Sequence, residues 1–110
     1  VDAEKYLNWI CRDGISEKNI LKWLGDVGHI YRYQEQYSKA VEEIAEETGC
    51  EIIDLRSEFI KHGNLKELFC NDGIHPNENG QRIIHGVIVN FINKVRAQKS
   101  RLGLLNEKNQ

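Results

Sequence analysis

The residues of this 110-residue chain best suited to chemistry lie together in Asn71-Asp72-Gly73-Ile74-His75-Pro76-Asn77. Imidazole is the side chain whose ordinary titration falls in the neutral range, and a carboxylate three residues before it can fix which ring nitrogen carries the proton. Gly73 permits a sharp turn between the two. Pro76 drives His75 into an extended conformation and pre-sets the chain for a helix start, which holds the imidazole outside that helix. Asp72 can then fold back across the turn and accept a hydrogen bond from one ring nitrogen, leaving the other free to act as a base. A base and its orienting group, Asp72 and His75, are thus expected from one loop, in the arrangement that activates a hydroxyl nucleophile.

Other chemistry fits less well. Cys70, Asp72, His75 and His85 are all zinc-ligand types, but their spacing matches no common zinc motif, so neither a metal nor another cofactor is expected. His85 lies beside the apolar stripe of a helix, and His29 and His62 follow or precede a glycine as loop histidines do. Ser16, Ser38, Ser57 and Ser100 each have a local explanation as cap, helix surface or turn. Cys11, Cys50 and Cys70 form no C-x-x-C pair and leave one over, so reduced, buried cysteines are expected.

The elements that must position the loop follow from periodicity. Ala3, Tyr6, Leu7, Ile10 and Cys11 recur at helical spacing before Gly14. Ser16 can cap a second helix carrying Ile20, Leu21, Trp23 and Leu24 and ending near Gly25. Ile30, Tyr33, Tyr37, Ala40, Val41, Ile44, Ala45 and Thr48 mark a long helix with Glu42, Glu43, Glu46 and Glu47 on a solvated face and Gly49 at its close. Cys50-Glu51-Ile52-Ile53-Asp54-Leu55 then reads as a buried strand. A helical turn through Ser57, Phe59 and Ile60, a Gly63-Asn64 turn and a brief apolar piece at Leu65, Leu68 and Phe69 lead to the 71–76 loop. From Asn77 a final helix presents Ile84, Val87, Ile88, Phe91, Ile92 and Val95 on one stripe. Trp9, Trp23, Tyr31 and Tyr33 are expected in the core, with a substrate-contacting lid over residues 1–29 as the alternative.

One strand among helices leaves both of its edges unpaired, and burying such groups costs about 1–3 kcal/mol each. Its neighbours are therefore expected from upstream sequence, from a second polypeptide or from another copy of the chain, and the isolated chain is expected to form a homo-oligomer. The absence of Met points the same way, toward a chain that lacks its beginning. The 15 basic and 17 acidic residues give a formal charge of -2, which is no footprint for nucleic acid, and no apolar run reaches the roughly 20 residues of a membrane span. A cytoplasmic location is the expectation.

The block Asp72-Gly73-Ile74-His75-Pro76-Asn77, with Gly80 and an apolar helix after it, resembles the last conserved block of the SGNH hydrolases, also called GDSL esterases or lipases. The likeness covers most of residues 30–95 and is weaker over 1–29. It implies a flavodoxin-like α/β hydrolase fold of which this chain is the C-terminal part. Residues 1–29 would be a variable helical connection, 30–98 would run helix, strand, helix, catalytic loop and helix, and 99–110 would be a polar tail. It implies His75 as general base and Asp72 as its partner in hydrolysis of a small ester, lipid acyl or carbohydrate acetyl, through a serine acyl-enzyme. The family's Gly-Asp-Ser nucleophile motif and Gly-x-Asn-Asp oxyanion motif are absent from this sequence, so the chain alone is expected to be inactive. The rival reading is a non-catalytic helical module that self-associates or binds a partner, with Asp72 and His75 serving only as turn and cap.

Overall fold

The computed structural model describes residues 1–109, apart from the side chain of Leu105. Five α-helices follow one another: α1 (Ala3–Ile10), α2 (Glu17–Leu24), α3 (Gly28–Thr48), α4 (Leu55–His62) and α5 (Glu78–Lys108), with short 3₁₀ turns at Cys11–Asp13 and Leu65–Glu67. Side chains start several of them. Asp2, Ser16, Asp54 and Asn77 each accept a hydrogen bond from a backbone N–H in the first turn of the helix that follows, and so satisfy a donor the helix cannot. The expected ends at Gly14, Gly25, Gly49 and Gly63 are where the chain leaves its helical path. Gly28 is the first residue of α3, so the break before that helix falls just upstream.

The buried apolar centre is small. Phe59 of α4 meets Phe69 with ring centroids 5.5 Å apart, Leu68 is fully enclosed, and Leu65, Ile83 and Ile84 pack around them. This centre sits directly beneath the 70–76 loop and joins α4 to the start of α5. Beside it runs an open groove of about 570 Å³ whose walls include Leu55, Phe59, Ile60, Phe69, Ile74 and Ile84. The radius of gyration is 19.5 Å, against about 13 Å for a compact domain of this length.

Residues 50–54 do not form the expected strand. Cys50 N–H donates to the Ala45 carbonyl at the end of α3, Leu55 N–H donates to Ile53, and Asp54 caps α4. A strand exists through the bonds it makes to a neighbour. Among the described residues no extended segment lies alongside, and the N–H groups of Ile52 and Ile53 donate to no other backbone. The two isoleucines instead line shallow clefts, one facing Val87 and Phe91 of α5 and the other facing Ser38 and Val41 of α3.

Two further expectations are corrected. Trp9, Trp23, Tyr31 and Tyr33 are not core: Trp23 is 84% exposed, and Trp9 lies on the surface with the Arg12 guanidinium stacked over it. In that part of the chain only Asp2, Ala3 and Leu7 are buried, because α1 and α2 meet too little other structure to enclose a large ring. Cys50 and Cys70 are exposed and Cys11 is half-buried, all three as free thiols. Within the polar stretch after residue 98, α5 continues through Lys108. No helix among the described residues is long and apolar enough to cross a membrane.

Candidate active site

The loop that carries Asp72 and His75 is closed at its base and pinned from two sides. Phe69 and Pro76 form an antiparallel bridge. Cys70 N–H donates to the His75 carbonyl at 2.8 Å, and Gly73 N–H donates to Cys70 at 3.0 Å. Asn77 fastens one side: its carboxamide oxygen accepts from Gly80 N–H at 3.1 Å, its amide donates to the Glu67 carbonyl at 2.8 Å, and its backbone N–H donates to Leu68 at 2.9 Å. The cap that begins α5 therefore also ties the helix to the segment entering the loop.

The N-terminal turn of α1 fastens the other side. Asp2 N–H donates to the Gly73 carbonyl at 2.8 Å, and Lys5 Nζ donates to the carbonyls of Lys66 at 2.6 Å and Phe69 at 2.8 Å. Gly73 is buried with φ at +71°, and a Cβ there would lie 2.4 Å from the Asp2 carbonyl oxygen and 2.5 Å from Tyr6 N. Only glycine fits both the turn and the approach of α1. Gly80 is needed for a similar reason, since its Cβ would lie 2.4 Å from the Leu68 carbonyl oxygen.

Within this frame Asp72 has two tasks. Its Oδ1 accepts from the backbone N–H groups of Ile74 at 2.9 Å and His75 at 3.1 Å, which shapes the turn, while Oδ2 lies 2.5 Å from His75 Nδ1. The hydrogen bond to His75 first, and then the two backbone donors, hold the Asp72 carboxyl down at about 2. A carboxylate ionised in this way can only accept, so Nδ1 carries the proton and Nε2 presents its lone pair. The His75 side chain is 76% exposed and that of Asp72 17%. The result is a supported carboxylate, an oriented ring and an outward-facing base.

The structure brings Asp72 and His75 together and does not add Cys70 or His85 to them. Among the described residues no three His, Cys, Asp or Glu side chains converge as metal ligands would. Neither Ser16, which caps α2, nor Ser57, whose hydroxyl donates to Asp54 at 2.6 Å, is bonded to His75. Ile74 and Pro76 line the large groove, whereas the imidazole between them does not, as expected where successive side chains of an extended segment face opposite ways. Sequence reasoning missed Asp2 and Lys5 as supports of the loop. Asn77 was legible through its position before the apolar stripe.

Asp72 and His75 are thus a carboxylate and an imidazole oriented by it, held on one glycine turn. The model of the GDSL-like lipase/acylhydrolase family matches residues 19–83, more than half of the chain and inclusive of Asp72 and His75, and the chain belongs to that family. Membership implies the α/β SGNH hydrolase fold. A curated relative, the GDSL esterase/lipase CPRD49 of Arabidopsis thaliana, is 38% identical over 56 residues, which are 51% of this chain and 22% of that protein. The matched stretch is thus a small part of the relative's length. No solved structure matches the chain.

Proposed function

We propose that this chain supplies the general base, His75, and its orienting carboxylate, Asp72, to an acylhydrolase that cleaves a small ester, lipid acyl or carbohydrate acetyl, through a serine acyl-enzyme. The serine and the oxyanion donors come from sequence outside the 110 residues, and the same sequence supplies the strands that pair with residues 50–54. The observation that carries this reading is the Oδ2 to Nδ1 contact of 2.5 Å with the imidazole left open to solvent. A turn-and-cap role accounts for the two backbone bonds to Oδ1. It gives no reason for the second oxygen to hold the ring.

In this reaction the serine hydroxyl gives its proton to His75 Nε2 as its oxygen attacks the ester carbonyl carbon. The ring, now cationic, is stabilised by Asp72 and returns the proton to the departing alcohol. Water then repeats the sequence on the acyl-serine, releasing the acid. The test uses the full-length gene product and a nitrophenyl acetate. Turnover is expected, with loss on treatment with a serine-directed phosphonate, and the 110-residue chain alone is expected to show none. Unchanged turnover in a full-length His75→Ala, Asp72→Asn double variant would sink the proposal and leave the turn-and-cap role standing.

A further inference from the structure

Charge is spread unevenly along the chain in a way its overall value hides. Residues 94–109 carry Lys94, Arg96, Lys99, Arg101 and Lys108 against the single carboxylate Glu107, whereas residues 1–93 hold ten cations and sixteen carboxylates. The cationic stretch is the end of α5, and it stands away from the body. Among the described side chains of the helix Val95 is the last that is not exposed, Leu102 and Leu104 are 60% and 58% exposed, and the molecule measures 71 Å along its longest axis against 31 and 21 Å across. A helical segment of this length with Gly103 inside it is marginal in water unless something packs on it.

The other half of the pattern lies on α3. Glu35, Glu42, Glu43, Glu46 and Glu47 are all exposed, with Lys39 the sole cation among them. Two of these glutamates occupy the last turn, which contains no basic residue, so they face the negative end of the helix dipole. The pairs Glu42 with Glu46 and Glu43 with Glu47 stand one turn apart and repel. Among the described residues, neither these carboxylates nor the α5-end cations make an ion pair. Residues 35–47 and 96–108 each span about 20 Å of helix. One surface is acidic and electrostatically strained, the other is cationic, exposed and of matching length, and within one copy they do not meet.

We infer that the projecting end of α5 docks on the acidic face of α3 in a second copy of this chain, and that the exchange is mutual. The helices run antiparallel, so that Lys94, Arg101 and Lys108, which share one face of α5 at seven-residue spacing, lie over Glu46, Glu42 and Glu35, with the two dipoles opposed. Residues on one copy thereby meet their complements on the other by a twofold axis, as a closed dimer requires. This surface is separate from the 70–76 loop and does not depend on the hydrolase reading.

The test mixes ¹⁴N- and ¹⁵N-labelled copies of the 110-residue chain and treats them with a zero-length carbodiimide. Cross-links from Lys94 or Lys108 of one copy to Glu35, Glu42 or Glu46 of the other are expected, and they should fade as salt is raised. In sedimentation, the set Lys94→Glu, Arg101→Glu, Lys108→Glu and the set Glu35→Lys, Glu42→Lys, Glu46→Lys should each lose the salt-sensitive dimer. Mixing the two sets should restore it. Cross-links confined to one copy overturn the inference, as does sedimentation unchanged by either set. Equally, an α5 end that binds phosphatidylserine vesicles without any inter-copy cross-link assigns the surface to a membrane instead. The cross-linking of the unsubstituted chain decides the matter even if a charge-reversed set does not fold.

Discussion

At the scale of the residue, His75 and Asp72 divide one job between ring and carboxylate. In the full-length protein His75→Ala is expected to lower kcat/KM for the activated ester by several powers of ten. Asp72→Asn should cost roughly 10⁴-fold, the loss the handling of such pairs in serine proteases leads one to expect. Because the Asp72 carboxyl is held down at about 2 by the His75 hydrogen bond and two backbone donors, it should add no ionisation of its own to the rate profile between pH 3 and 6. A carboxyl ionisation in that window that disappears in Asp72→Asn would contradict this assignment. The sign for stability is the depressed-carboxyl one. The contribution of Asp72 to loop order is fully present above its ordinary value of 3.8, declines as pH falls below it, and is gone below about 2. The pair was legible in the sequence because everything that makes it is local: three residues of separation, a glycine between and a proline after. Gly73→Ala tests what was not local. Its Cβ must displace the Asp2 carbonyl and Tyr6 N, so it is expected to lower stability by more than about 1 kcal/mol in chemical denaturation, beyond the cost of positive φ alone.

At the scale of the element, capping and periodicity located α3 and α5 because both signals are written in consecutive residues. Residues 50–54 show where that logic stops. A β-branched run after a helix-ending glycine is a good strand in composition, but a strand is completed by bonds to a partner, and the described chain offers none to Ile52 and Ile53. The support that α1 gives the loop was illegible for a related reason, since Lys5 reaches Lys66 and Phe69, more than sixty positions away, and nothing local to Lys5 announces it. Asn77 joins the two cases, being a cap readable in sequence whose amide also holds a distant carbonyl. Asn77→Asp should keep the cap and lose the donor to Glu67, while Asn77→Ala should lose both. The expected order of stability is therefore wild type, Asp, Ala, with the alanine variant down by about 1–2 kcal/mol. Faster amide exchange in the first turn of α5 for Ala than for Asp is the accompanying sign. Equal exchange in the two would show that the side-chain cap is not what holds that turn.

At the scale of the whole molecule, two kinds of surface lack partners, and they respond to salt in opposite senses. Leu55, Phe59, Ile60, Phe69, Ile74 and Ile84 wall an open groove of about 570 Å³, and Tyr37, Val41 and Ile44 are exposed along α3, with Tyr37 at 74%. Apolar area of that extent on an ordinary monomer marks a surface that another element covers. In the proposed hydrolase the strands that pair with residues 50–54 supply that cover. The isolated chain should therefore bind an apolar dye such as anilinonaphthalene sulfonate, and the full-length protein should bind much less. Sulfate strengthens apolar association by being excluded from protein surface, so any association of the isolated chain through the groove should grow with sodium sulfate. Contact between the α5 end and α3 is ionic and should be screened by modest sodium chloride. Sedimentation across the two salts separates them: a species lost by 0.5 M sodium chloride belongs to the charged surfaces, and one that gains mass in sulfate and vanishes when the full-length protein replaces the chain belongs to the groove. A chain that binds no dye and sediments as a monomer in both salts would mean that these faces need no cover, and the proposal that strands from outside the 110 residues complete them would fall.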